Sequence, residues 1–204
     1  MRIFIGIPLS NEAKREVGKL YKALKKKHWK VKWEPVEKVH LTLVFLGDVK
    51  CQMSNVKTTY QNSKLNKLQL IKAAVKEVCG TLQSIKVKFK GLGCFPDYEW
   101  PRIIWLGLKG DLKSLSALQK KIQENLKKTG LKFDEKPFRP HLTLGRIKRA
   151  RAKERREIGR QIKKMQKMDF KSEWLIDRVG VYKSKCLPKG SNYFELFSWK
   201  LWKL

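Results

Sequence analysis

The sequence predicts an α+β fold of two pseudo-symmetric lobes, each an antiparallel sheet with helices on its outer face, around a central cleft. Three observations predict it. Strand-like and helix-like periodicities alternate along the whole chain. The string His-Leu-Thr-Leu stands at 40–43 and again at 141–144, at comparable places in two halves. No shorter repeat of the kind that builds a solenoid is present. Residues 1–204 are read as one bilobal domain, and their 42% apolar content is enough to bury a sizeable core.

Residues 3–9, IFIGIPL, open the chain as a buried strand. Ser10 is placed to cap the helix that follows, with Glu12 in its first turn. Ala13, Val17, Leu20, Tyr21 and Leu24 recur at helical spacing and predict an amphipathic helix from 11 to about 27. A short strand over 31–33 ends at Pro35, and residues 39–46 form the first strong strand, closed by Gly47-Asp48. Residues 50–64 are polar and without periodicity, either an exposed loop or a helix extension.

Leu68, Ile71, Ala74, Val75 and Val78 predict a second helix over 65–82, with Gly80 near its end. Residues 85–90 alternate strictly, apolar in and lysine out, and give a half-exposed strand. After a turn region marked by Gly91, Gly93 and Pro96 comes a strand over 103–108. Asp111 caps a third helix with Leu112, Leu115, Leu118, Ile122 and Leu126 on its apolar face. Pro137 and Pro140 force an extended approach to the second HLTL strand. Residues 149–168 read as a very basic surface helix, and 174–182 and 193–199 as two final strands paired across Pro188-Lys189-Gly190.

Charge narrows the partners. Lys and Arg number 48 against 18 acids, a formal +30. That excess costs self-repulsion in the compact state and points to a polyanion, nucleic acid above all, over a merely lysine-rich solvated surface. Ion-pair networks of the thermophilic kind would need acids in comparable number. Cys51, Cys79, Cys94 and Cys186 form no C-x-x-C pair, so neither a zinc site nor a disulfide framework is expected. The N-terminal apolar run is too short for a signal peptide or a membrane span, which predicts a soluble cytoplasmic protein. A monomer is expected.

The chemistry lies in the duplicated string. Two of the chain's three histidines head it, a coincidence expected roughly once in a few thousand cases from ordinary residue frequencies. In a strand, residues i and i+2 share a face. His40 and Thr42 therefore point together, as do His141 and Thr143, while the leucines anchor each strand in the core. Two such strands meeting across a cleft supply two imidazoles and two hydroxyls to one phosphate. With a pKa near 6.5, one ring can be neutral and take a proton from water while the other is protonated and gives one to a leaving oxygen. No metal or cofactor is needed. The bland reading, two satisfied structural histidines, does not explain the duplication. His28 has no such context.

HLTLVFLG and FRPHLTLGR together resemble the signature of the two-histidine (2H) phosphoesterases. The closer likeness is to their RNA 2′,3′-cyclic phosphodiesterase branch, historically called 2′–5′ RNA ligases. The opening MRIFIGIPLS and the stretch 188–196 extend the likeness over nearly the whole chain. It implies metal-free hydrolysis of a terminal 2′,3′-cyclic phosphate of RNA, tRNA-derived or other, to a 2′-phosphate. It makes His40 the general acid toward O3′, His141 the general base, and Thr42 and Thr143 phosphate holders. Arg146 corresponds to a phosphate-contacting arginine and Phe45 to an aromatic that stacks on the terminal base. Simple alternation puts both opposite the histidines, so they reach the cleft only if each strand bulges or twists, for which Gly145 is a signal. Arg139 shares the His141 face and is a candidate for the RNA backbone. Ligation through a 2′–5′ linkage and a non-catalytic RNA-binding module stay open as alternatives.

Overall fold

The computed structural model describes residues 1–48, 63–187 and 190–202, and the polar segment 50–62, Cys51 and the turn residues Pro188-Lys189 lie outside them. The chain runs β1 (Arg2–Pro8), α1 (Asn11–Lys25), β2 (Val31–Trp33), one 3-10 turn (Val36–Lys38), β3 (His40–Asp48) and α2 (Ser63–Cys79). It continues with β4 (Ile85–Phe95), β5 (Ile103–Gly110), α3 (Leu112–Lys128), β6 (His141–Ile147), α4 (Ala152–Lys164), β7 (Asp169–Ile176), β8 (Arg178–Leu187) and β9 (Gly190–Lys200).

The helix starts follow from local chemistry. The Ser10 hydroxyl accepts from the Ala13 amide at 3.2 Å, and the Asp111 carboxylate from the Ser114 amide at 3.0 Å. Each satisfies an amide that the helix leaves orphaned, an arrangement typically worth about 1 kcal/mol. α1 stops at Lys25, two residues short of the expected end, and His28 turns the chain away in the left-handed region at φ 51°. α4 is shorter than the basic run suggested, because Arg149 also takes a positive φ and the helix begins only at Ala152.

All strands join one curled antiparallel sheet in the order β7-β4-β5-β6-β3-β1-β8-β9, with β2 paired to β6. Its two halves correspond strand for strand outward from the centre. β6 is followed by β5, β4 and β7, and β3 by β1, β8 and β9. The halves meet where Leu41 pairs with Leu142, the middle residues of the two H-L-T strings. α1 packs against β7 and α4 against β4, whereas α2 packs on β8 and β9. Leu41, Leu43, Leu142 and Leu144 belong with the helix faces to one contiguous core, leaving the histidine side of both strands to the concave face. No helix among the described residues is long and apolar enough to cross a membrane.

Two strand expectations are corrected. Residues 174–182 are not one strand but two, β7 ending at Ile176 and β8 starting at Arg178. β7 adds to β4 in one half and β8 to β1 in the other, so the chain changes halves at Asp177. β4 also runs on through Gly91 to Phe95, absorbing the glycine in a register shift between Lys90 and Leu92 instead of ending there.

Candidate active site

His40 and His141 each open their strand at the centre of the sheet and line one cavity of about 280 Å³ on the concave face. The same cavity is lined by Thr42, Thr143, Phe45 and Arg146, with Arg2, Phe4, Glu34, Lys38 and Tyr193 around them. Leu41 and Leu142, between histidine and threonine, are fully buried. The alternation therefore works as the sequence implies.

Both imidazoles are anchored the same way. Nδ1–H of His40 donates to the Lys38 carbonyl at 2.7 Å, and Nδ1–H of His141 to the Arg139 carbonyl at 2.6 Å. A carbonyl can only accept, so the proton sits on Nδ1 and the neutral ring keeps its lone pair on Nε2. Aromatic walls restrict each ring further. His40 stacks on Phe4 at 4.6 Å with Tyr193 edge-on at 5.0 Å. His141 meets the edge of Phe95 at 5.0 Å and lies 6.2 Å from Trp105.

Burial pushes the pKa of both histidines below the usual value, and the backbone carbonyl at Nδ1 pulls each partly back up. For His40 the nearby His141 adds to the downward push. In the free protein both rings are therefore driven toward the neutral form that a base requires.

Phe45 and Arg146 reach the cleft through two matching bulges. On β3 the partner of Val44 is Ile5 but the partner of Thr42 is Gly6, so one residue on β3 has no opposite number. On β6 the partners of Gly145 and Thr143 are the adjacent Ile104 and Trp105, again one residue in excess. An extra residue flips the side-chain parity beyond it. Phe45 and Arg146, each five residues past its histidine, are thereby turned to the histidine face. The Leu144 carbonyl, within the β6 bulge, accepts from the Tyr21 hydroxyl at 2.9 Å and the Glu34 amide at 2.8 Å. Gly145 is required there, since a Cβ would lie 2.7 Å from Val31 and 3.0 Å from the Lys32 carbonyl.

Arg139 is not among the residues lining the histidine cavity. Its side chain lines an adjoining groove with Phe45, Phe95, Phe138 and Asp134, while its carbonyl orients His141. Pro140 separates the two functions.

Four residues that the sequence did not single out, Arg2, Phe4, Lys38 and Tyr193, add to the wall. Phe4 from β1 and Tyr193 from β9 form one aromatic cluster with His40, Phe4 stacked on it and Tyr193 edge-on to both. Lys38 donates to the Ser191 carbonyl at 3.1 Å and to Asn192 Oδ1 at 2.7 Å, pinning the β8–β9 hairpin beside the histidines. Proximity to a motif is the only local signal for Lys38; Phe4 and Tyr193 come from distant parts of the chain. Arg2 donates to Cys186 Sγ at 3.0 Å on the same wall. Among the described residues no group of three or more His, Cys, Asp or Glu could hold a metal ion.

Taken together, the cleft gathers two oriented imidazoles, two hydroxyls and several cations. The model of the 2′-5′ RNA ligase superfamily matches residues 8–185 of this chain. An RNA 2′,3′-cyclic phosphodiesterase of Methanocaldococcus jannaschii is 30% identical over 199 residues, 98% of this chain and 100% of that protein. Another from Archaeoglobus fulgidus is 31% identical over 196 residues, 96% of this chain and 98% of that protein. Among solved structures, TT0787 of Thermus thermophilus superposes with a TM-score of 0.74 at 20% identity, covering 98% of each chain.

Proposed function

From the premise that this chain belongs to the 2′-5′ RNA ligase superfamily, we propose that it hydrolyses a terminal 2′,3′-cyclic phosphate of RNA to a 2′-phosphomonoester without metal. One observation carries the reading. Two imidazoles, each with Nδ1 fixed on a backbone carbonyl, line one cavity with a threonine beside each and Arg146 on the same face. On this reading residues 1–204 work as one bilobal unit, since each half supplies one histidine.

Nε2 of His141 takes a proton from water, whose oxygen attacks phosphorus. The P–O3′ bond breaks and Nε2 of His40 gives its proton to O3′. Solvent exchange then restores both rings. Arg146 and the hydroxyls of Thr42 and Thr143 hold the non-bridging oxygens, where preorganised donors act on developing charge. Phe45 offers a face to the terminal base.

The acid role needs help at His40, because burial and His141 disfavour its protonated form. A bound phosphodiester brings one negative charge between the rings and reverses that preference. The substrate thus readies its own acid.

The test is an oligonucleotide ending in 2′,3′-cyclic phosphate, incubated in chelator, with the product monoester identified. A 2′-phosphate supports the reading. Dependence on added metal, or RNA binding without turnover, overturns it, and a joined 2′–5′ product on paired RNA halves assigns the reverse reaction.

The pH dependence has a definite sign. Turnover needs one ring protonated and one neutral, and both values lie below the ordinary 6.5 in the free protein. The kcat/KM profile is expected to peak below about 6.5 and fall as pH rises through neutrality, with the kcat profile displaced upward by the bound anion. These are macroscopic values of the pair. The unfolded chain binds these protons more readily, so stability is full above about 6.5 and declines as pH falls below it. A kcat/KM optimum above 7 would contradict the burial account.

A further inference from the structure

We propose that the β2–β6 edge beyond Arg146 is a track for the RNA backbone 5′ of the cyclic phosphate, which makes a strand a better substrate than a free cyclic nucleotide. The proposal rests on the cyclic phosphodiesterase reading of the cleft, whose phosphate end it extends.

Lys32 stands opposite Arg146 in the antiparallel β2–β6 register, and the Lys148 amide donates to the Lys30 carbonyl at 3.0 Å one step further on. Directly opposed residues share a face. Val31 and Trp33 pack on the core and Ile147 is buried in it, which sends Lys30, Lys32, Arg146 and Lys148 to the other side, that of the histidines. Strand rise of about 3.3 Å per residue places Lys148 about 7 Å beyond Arg146, roughly one nucleotide along. Past the end of β6 a separate shallow groove is lined by Trp29, Lys30, Val31, Lys32, Lys148 and Arg149.

Like charges directly opposed across a ladder destabilise it. Here two such pairs follow one another. Arg146, Lys148 and Arg149 form no ion pair with any described residue, while Lys30 is held by Glu154 at 2.7 Å. An anionic strand would supply a counter-charge to Arg146, Lys148 and Arg149, the β6 side of these pairs and the residue after it.

The other ways out of the cleft are less suited. The cavity behind His40 is lined by Glu37 and Glu195, and the groove holding Arg139 by Asp134. The groove of Trp29, Lys30, Val31, Lys32, Lys148 and Arg149 has no acid in its lining.

The experiment uses the full chain carrying Lys148→Gln with Arg149→Gln, and separately Lys148→Glu. Binding of a short single-stranded RNA is followed by fluorescence anisotropy over a salt series. Each lost phosphate contact should make the log–log slope shallower by about 0.7, so the double variant should lose about 1.4. In turnover, kcat/KM should fall for a cyclic-phosphate oligonucleotide and stay unchanged for a 2′,3′-cyclic mononucleotide. The mononucleotide reaction also shows that the variant is folded. An unchanged salt slope, or equal loss on both substrates, overturns the track. If the unmodified protein opens neither substrate, the hydrolase reading fails, and the salt slope still decides the track.

Discussion

Replacing either cleft histidine by alanine should lower cyclic-phosphate opening by about 10²–10⁴-fold while leaving the fold intact. The expectation follows from the Nδ1 anchors, which hold each ring with Nε2 as the group left to exchange protons. Both rings are only partly buried at the cavity wall, so their removal opens space toward solvent and not within the core. The two losses should not add. Proton removal and proton donation serve one displacement, so removing either group forfeits much of what the other supplies, and groups that act as a unit are strongly non-additive. Single and double variants compared under single-turnover conditions, with thermal melts alongside, test this. Full activity in either single variant would remove the paired-imidazole mechanism.

The largest effect on stability is expected at Leu142. Its side chain is fully buried, and its backbone pairs with Leu41 where the halves of the sheet meet. Leu142→Ala should cost about 2–5 kcal/mol, from lost transfer energy and the residual cavity. Leu142→Met, which nearly conserves volume, should cost under about 1.5 kcal/mol. Urea titration reads both. His141 and Thr143 flank this residue, so the alanine variant should also turn over more slowly under conditions where it is still folded. A midpoint unchanged from that of the parent would mean the seam is not held by this packing.

Much of this was legible because the signals are local. Helical spacing of Ala13, Val17, Leu20 and Leu24 and the caps at Ser10 and Asp111 depend on residues a few positions apart. The His-x-Thr alternation is equally short-range, and duplication made it conspicuous.

What was less legible depends on pairing across the sheet. Gly145 marks the bulge on β6, but the matching bulge on β3 falls at Leu43-Val44, ordinary strand residues that flag nothing. Phe45 could therefore not be placed from its own neighbours. The break at Asp177 did leave a trace. Trp174 and Ile176 are buried and then Val179 and Val181, so the alternation slips phase at the polar pair Asp177-Arg178. Phe4 and Tyr193 touch His40 only because β1 lies beside β3 and the β8–β9 hairpin folds back over it.

The paired bulges give each central strand an unusual genetic property. Codon substitution between Thr42 and Phe45, or between Thr143 and Arg146, alters one side chain. Deleting a single codon there would restore simple alternation, turning Phe45 or Arg146 into the core and the following apolar residue out to water. Gly145 apart, where any Cβ would clash, point changes in these two short windows are thus graded lesions, while in-frame deletions displace every side chain beyond them. At the remaining places the number of residues is under tighter constraint than their identity.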